Sequence, residues 1–335
     1  MKNLRRSAAI LLTLVLLSLC PLAAASAQES EPERAFSYEG DFETDGLGGV
    51  IERYLERHSL GASTIAIGWY DLTSGEEYYY GADTFLHGGS TYKLPLAMLY
   101  VDRIAAGEIS PEQKLGSYPL EEDLHRMIAN SDNHVADVLK NALGLSSNEL
   151  SRRLAQYSGL DPDTLPRAYF GGCFSPRFLI GTLRTLYDNS DKYSQILEYM
   201  KEARPDTFLS LYRGETEVAH KYGSIPDYLC DSGVVYTERP FLMTVLTHNL
   251  PGGMTTIGEL GAIAMDYAAY LAAPPIPTPS PTPQPTRAPT PPAPVQEKSG
   301  EPRSSWLWLV PLALAAGGGG YALSLRSRKK DGTEE

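Results

Sequence analysis

Cysteine is scarce in this sequence. Of its three cysteines, Cys20 lies in an apolar run near the N-terminus, so only Cys173 and Cys230 remain for the rest of the 335 residues. At most one disulfide can therefore form, and two free buried thiols are the open alternative.

Metal-binding patterns are missing as well. The six histidines include no His-x-His and no His-Glu-x-x-His spacing, which are arrangements that bring two imidazoles to one metal ion. We therefore expect no metal site and no cofactor. His134 and His220 are interpreted as core residues or as neighbours of functional side chains.

Cations are outnumbered by acids. The chain has 29 Lys and Arg against 41 Asp and Glu, and residues 28–305 keep 22 of those cations and 38 of the acids, a net charge of −16. This excess of negative charge disfavours phosphate backbones and anionic lipid surfaces. Nucleic acid is therefore not an expected partner.

Long apolar runs stand at the two ends of the sequence. Residues 1–27 combine a basic start, an apolar run and Ala25-Ser26-Ala27, which predicts a cleaved signal peptide. A lipoprotein signal at Cys20 and a retained N-terminal anchor are the alternatives. Residues 305–325 carry no charge and four cations follow in 326–335, which predicts a membrane-spanning helix with a cytoplasmic tail.

The segments between these runs define the remaining organisation. Residues 28–45 are expected to be a linker, and 273–304 are rich in proline, which predicts an extended stalk. Residues 46–272 are long enough for a single domain with its own core. We therefore expect an extracytoplasmic, monomeric domain held at the cell membrane by one C-terminal helix.

The hydrophobic pattern of this domain changes along the chain. Residues 48–61 predict an amphipathic helix, and 62–89 alternate as two strands joined by a Thr-Ser-Gly turn. Residues 90–214 are mostly helical in spacing, and strands return before a closing helix. This order predicts an α/β (α+β) fold, in which an antiparallel sheet is flanked by helices and an all-helical block is inserted.

Three short patterns follow one another inside the domain: Ser90-Thr91-Tyr92-Lys93, Ser131-Asp132-Asn133 and Lys221-Tyr222-Gly223. Each is weak alone, since 327–330 also matches the first pattern, and 114–116 and 298–300 match the third. Context separates them, because only Lys221 follows the helical block and lies in a run typical of a strand.

The residue types of these patterns fit nucleophilic catalysis. Serine needs a base to take its proton, and a helix N-terminus favours the developing negative charge. Lys93 lies three residues after Ser90 and shares its helix face, so it is the candidate base. Burial and a second cation lower the pKa of a lysine, and Lys221 is the candidate second cation.

The three motifs together resemble those of class A β-lactamases and penicillin-binding proteins. The resemblance covers about residues 48–272 and implies an acyl-enzyme mechanism on β-lactams or related amides. It implies catalytic roles for Ser90, Lys93, Ser131 and Lys221, in which Ser131 relays a proton to the leaving nitrogen. It also implies substrate binding by Asn133, Tyr222, Gly223 and Ser224, a structural Asp132, and an oxyanion hole formed by the N–H groups of Ser90 and Ser224.

Two departures from the family pattern affect the expected chemistry. Class A β-lactamases activate the deacylating water with a glutamate, and residues 157–177 contain none; Asp161 and Asp163 are the only acids there. Tyr222 replaces the usual Ser or Thr, so recognition of a substrate carboxylate must differ. We therefore expect slow deacylation. A D-Ala-D-Ala peptidase acting on cell-wall peptides and a non-turnover β-lactam or wall sensor are the alternative functions.

Overall fold

The computed structural model describes residues 36–274. Its strands are β1 (Ile65–Asp71), β2 (Glu77–Tyr80), β3 (Leu86–His87), β4 (Cys173–Phe174), β5 (Glu217–Ile225), β6 (Tyr228–Tyr236) and β7 (Phe241–His248). Its α-helices are α1 (Phe42–Arg57), α2 (Lys93–Ala105), α3 (Leu120–Ala129), α4 (Asn133–Ala142), α5 (Ser147–Ala155), α6 (Arg167–Phe170), α7 (Pro176–Asp188), α8 (Ser190–Lys201) and α9 (Gly253–Ala272).

Five strands form one antiparallel sheet in the order β2-β1-β7-β6-β5. The β1–β2 connection is the predicted tight turn, in which the Asp71 carboxylate accepts from the N–H groups of Thr73 and Ser74. β5 and β6 pair over their full length, with Lys221 opposite Ser232. Because β5 is the edge strand, its free edge is available to the elements that carry the site.

The two faces of the sheet are covered by different helices. Ile65, Ile67 and Trp69 of β1 belong to the apolar cluster that α1 and α9 cover. The opposite face packs on α7, and Gly68 permits this contact because a Cβ there would lie 2.8 Å from the Ile180 side chain. The alternation of β1 thus divides the core into two layers.

The first and last helices meet at one corner of the domain. The Phe42 ring at the start of α1 lies 5.2 Å from the Tyr267 ring and 5.9 Å from the Tyr270 ring near the end of α9. α1 begins at Phe42, four residues before the predicted domain start, because Asp41 caps it by accepting from the Glu43 N–H.

The predicted fold class is confirmed, since an antiparallel sheet is flanked by helices and the strands are interrupted by the α2–α8 block. A second sheet was not predicted: β3 and β4 form a two-stranded pair. The predicted signal peptide, transmembrane helix and tail, and nearly all of the stalk, lie outside the described residues. Within residues 36–274, no helix combines the length and apolar character that a membrane span needs.

Candidate active site

The nucleophile candidate lies on a tight turn that leads into α2. Ser90 belongs to a 3-10 turn, Gly89–Tyr92, and α2 continues from Lys93 without a break. The Ser90 side chain is half-buried, whereas Lys93 is fully buried. The sequence prediction that Ser90 stands on the first helical turn is confirmed.

The second motif forms the connection between α3 and α4. Asp132 caps α4 by accepting from the Val135 N–H at 3.1 Å, and it pairs with Arg126 at 3.0 Å. These contacts agree with the structural role expected of Asp132. Ser131 adopts a φ of 55°, an unusual value for a residue other than glycine, and this backbone turn directs its side chain toward the two lysines.

The Ser131 hydroxyl is held between both lysine amines. The Nζ atom of Lys221 donates to Ser131 Oγ at 3.0 Å, and the Nζ atom of Lys93 approaches the same oxygen at 3.3 Å. Lys93 Nζ also donates to Ser131 O at 2.7 Å and to Asn133 Oδ1 at 2.6 Å. Four of the predicted residues, from all three motifs, therefore meet at one point.

The Ser90 hydroxyl has no hydrogen bond to any described residue. The Lys93 amine lies on Ser131 and Asn133, although it shares a helical face with Ser90. Catalytic hydrogen bonds are often long in free enzymes and tighten only when substrate binds. The Lys93 amine thus lies beside the Ser131 hydroxyl.

The pKa values of both lysines are lowered toward neutrality. Burial lowers the pKa of Lys93 to about 8, although Asp132 and Asp137 favour its charged form. Burial, and then the positive charge of Lys93, lower the pKa of Lys221 to about 7. Two ammonium groups around one hydroxyl are unfavourable, so the pair holds a neutral amine near neutral pH.

Two backbone segments cross closely beside Ser90. A Cβ on Gly223 would lie 2.1 Å from Gly88 O and 2.8 Å from Ser90 N. Gly89 has a φ of 53°, and a Cβ there would lie 3.0 Å from Ser224 N. Glycine at these two positions permits the crossing, in which the backbone nitrogens of Ser90 and Ser224 each lie against a glycine of the other segment.

Tyr222 is placed differently from the other third-motif residues. It alternates with Lys221 along β5 and belongs to the α9-side apolar cluster, where its ring stacks on Phe208 at 5.3 Å. The exposed Arg204 guanidinium lies 4.8 Å from the centroid of the same ring. Sequence reasoning missed Arg204, because it lies in an irregular turn that carries no motif.

The loop at residues 157–177, where class A β-lactamases carry a glutamate, provides no acidic side chain to the site. Asp163 pairs with Arg152 and its side chain is 75% exposed. Asp161 accepts from the Asp163 N–H at 2.9 Å, and its carbonyl accepts from the Thr164 hydroxyl. These contacts form the turn that the sequence predicted, at the surface.

A cavity of about 300 Å³ lies between this loop and the Gly89–Tyr92 turn that carries Ser90. Its lining is mostly aromatic or aliphatic around Gly89 and includes His87, Tyr92, Lys140, Leu150, Tyr169 and Phe170. It contains no carboxylate to activate a water molecule.

The cysteines and histidines fall mostly outside this cluster. Cys173 and Cys230 are both free thiols, so the disulfide alternative does not occur in this structure. Cys230 is buried beneath Gly88, with its Sγ 2.7 Å from Gly88 O. His220 is a core residue whose Nδ1 lies 2.6 Å from Asp231, and His134 is exposed on α4.

Comparison with known proteins assigns the chain to a family. The sequence profile of the Beta-lactamase enzyme family matches residues 51–268. The chain belongs to this family. A search of curated proteins finds no significant match.

Solved structures share the fold at low sequence identity. The TLA-1 extended-spectrum β-lactamase is 18% identical with a TM-score of 0.57, and the match covers 67% of this chain and 98% of that one. PBP-A is 22% identical with a TM-score of 0.53, covering 62% and 90%. A β-lactamase from Chitinophaga pinensis DSM 2588 is 18% identical with a TM-score of 0.55, covering 64% and 97%.

Proposed function

We propose that this β-lactamase family member is a serine hydrolase that acylates Ser90 with a β-lactam or a related amide and releases the acyl group slowly. The observation that carries this proposal is the Ser131 hydroxyl held between the two buried amines of Lys93 and Lys221. No other cluster among residues 36–274 combines a half-buried serine with two lysines whose pKa values are lowered toward neutrality.

Acylation begins at the Ser90 hydroxyl. A neutral Lys93 amine takes its proton while the oxygen bonds to the substrate carbonyl carbon. The tetrahedral oxyanion accepts hydrogen bonds from the N–H groups of Ser90 and Ser224. Both N–H groups can serve one oxygen because the backbone segments at Gly89 and Gly223 cross closely beside Ser90.

Collapse of the intermediate needs a proton on the leaving nitrogen. The Ser131 hydroxyl gives that proton as the carbon–nitrogen bond breaks, and a lysine ammonium restores it. Both amines already contact Ser131 Oγ, at 3.0 and 3.3 Å. Asn133 and the exposed Arg204 are the polar groups proposed to hold the substrate amide and carboxylate.

We expect slow release of the acyl group because no carboxylate lines the cavity beside Gly89. Deacylation needs a base for water, and general-base help is typically worth ~10²–10⁴ in rate. The two acids of the loop are engaged in surface turns. A structure similar to this chain, a variant of PBP-A at 21% identity, is an acyl-enzyme complex with penicillin G, which supports penicillin as the first probe.

Intact-mass spectrometry over time tests the proposal. Mixed with benzylpenicillin, the purified protein is expected to gain one penicilloyl adduct that persists after free penicillin is removed. Ser90→Ala should show no adduct, whereas Ser327→Ala, which removes the other serine of an S-x-x-K pattern, should behave like the wild type. Wild-type protein without an adduct refutes acylation, and D-alanine release from a wall peptide would then favour the peptidase alternative.

A further inference from the structure

The peptide unit between Gly88 and Gly89 is bound at both of its polar ends. The Gly89 N–H donates to Nδ1 of His87 at 3.0 Å. The Gly88 carbonyl accepts from the Thr91 N–H at 3.1 Å and from the Thr91 hydroxyl at 2.9 Å, and Cys230 Sγ lies 2.7 Å away. The side chains of His87 and Cys230 belong to none of the three motifs.

This peptide unit lies next to both N–H groups that are proposed to bind the oxyanion. It comes directly before Ser90, and Gly89 touches the β5 backbone at Ser224, where a Cβ would lie 3.0 Å from the Ser224 nitrogen. A rotation of the peptide would move Ser90 N relative to Ser224 N. Errors of about 1 Å in such placement cost ~10²-fold in rate.

The two ends of the peptide differ in how much they depend on one partner. The carbonyl has two lone pairs and three neighbouring donors, so it keeps its hydrogen bonds without Cys230. The N–H has a single acceptor among the described residues, which is His87 Nδ1. Loss of that acceptor leaves a partly buried donor unsatisfied.

The fold holds the His87 ring in place for this contact. His87 pairs with Cys173 across the small β3–β4 sheet, and the Gly88 N–H donates to Gly172 O at 3.0 Å. The His87 ring packs 5.8 Å from the Tyr228 ring. Because Nδ1 accepts, the ring is the neutral tautomer with its proton on Nε2, and burial lowers the pKa of His87, which favours that neutral form.

We propose that His87 is a positioning residue for acylation: by accepting from the Gly89 N–H, it fixes the Gly88–Gly89 peptide so that the N–H groups of Ser90 and Ser224 converge on the oxyanion. The inference rests on the proposed function and adds to it a residue outside the three motifs. His87 acts through the backbone and makes no contact with the reacting atoms.

Stopped-flow acylation by benzylpenicillin, analysed as a non-covalent dissociation constant and an acylation rate constant, tests this role. His87→Leu is expected to lower the acylation rate constant by roughly 10–100-fold, with less than a twofold change in non-covalent binding. His87→Asn should restore the rate to within about threefold of the wild type, since its amide oxygen accepts where Nδ1 did. Cys230→Ala should cost less than about threefold, because Thr91 keeps the carbonyl bonded.

The pH profile separates positioning from a general loss of packing. Protonation of Nδ1 removes the acceptor, so wild-type acylation should fall more steeply below pH 6.5 than that of His87→Asn. The titratable groups around the ring are Cys173, Tyr228 and, behind Tyr228, His248, and the cavity that His87 lines also contains Tyr92, Lys140 and Tyr169. Burial raises the pKa values of Cys173, Tyr92 and Tyr169. Although burial opposes it, the pKa of Lys140 is raised by its contacts with Asp137 and Tyr92. A His248→Gln variant controls for His248.

Two outcomes overturn the inference while leaving the proposed function intact. One is an unchanged acylation rate in His87→Leu, and the other is a His87→Asn variant as slow as His87→Leu with the same pH profile as the wild type. His58→Leu, at the exposed end of α1, controls for histidine replacement itself. If His87→Leu does not fold, the Asn variant and its pH profile decide alone. A wild-type protein that reacts with neither penicillin nor a fluorophosphonate overturns the proposed function, and this inference with it.

Discussion

Lys221 should destabilise the folded domain, and its replacement by methionine should reveal by how much. Its side chain is fully buried, and its pKa falls from 10.5 to about 7. A group whose folded-state pKa is depressed in this way binds more protons when unfolded between these two values. Stability is therefore lost as pH falls from about 10.5 to about 7, and the penalty is largest below pH 7.

The magnitude follows from the shift. At pH 7.5 the buried amine costs the folded state about 4 kcal/mol, and at pH 9.5 about 1 kcal/mol. Lys221→Met removes this cost but also removes hydrogen bonds to Ser131 Oγ and Tyr222 O, worth about 1 kcal/mol each. The variant should therefore be about 2 kcal/mol more stable than the wild type at pH 7.5 and no more stable at pH 9.5, while losing activity.

Urea unfolding of both proteins at the two pH values measures this difference. Lys201→Met is the matched control, because Lys201 is partly exposed, pairs with Glu198 at 2.7 Å and Glu217 at 3.0 Å, and has a raised pKa. Its loss should give no gain at either pH. A stability gap between Lys221→Met and the wild type that is the same at pH 7.5 and pH 9.5 would refute the reasoning.

Three further predictions concern the site itself. The rate constant for acylation should rise between pH 6 and pH 8.5 with an apparent pKa between about 7 and 8, because the lysine pair must lose one proton before Ser90 can give up its own; a flat profile contradicts this. Asp161→Asn and Asp163→Asn should each leave the decay of the acyl adduct within about twofold of the wild type, since both acids serve surface turns; a tenfold slowing would identify the missing base. Gly223→Ala should slow fluorophosphonate labelling by at least ~10²-fold, because its Cβ would overlap Gly88 O, whereas Gly61→Ala, with no atom within 4 Å of the added Cβ, should label normally.

The sequence predicted the sheet and the main site because both are encoded locally. The alternation of 62–89 and the apolar β5–β7 runs reflect the period of two in strands, and the helical block has its own spacing. The three motifs are short and contiguous, so their order predicted that Lys93, Ser131 and Lys221 belong together. The contact of both amines with one hydroxyl needed the structure, since it depends on the φ of Ser131.

Other parts of the site had no such signal. β3 and β4 have two residues each, too few for any period, so the pairing that orients His87 could not be predicted from sequence. Arg204 lies in the segment between α8 and β5, which carries no motif, so its contact with Tyr222 could not be predicted from sequence. The role of Tyr222 in substrate binding stays a prediction: its ring packs in the α9-side cluster, and the Lys221 Nζ lies 4.1 Å from the centroid of that ring.

The contact between the start of α1 and the end of α9 brings the two ends of the domain close together. Phe42 packs on Tyr267 and Tyr270, so a short peptide would suffice to join residue 41 to residue 273, and short closures cost little entropy. New ends opened in the exposed Thr73–Gly75 turn would then give a circular permutant. In such a chain the three motifs keep their order. The junction of residue 273 with residue 41, which now marks the two ends of the domain, becomes an internal loop.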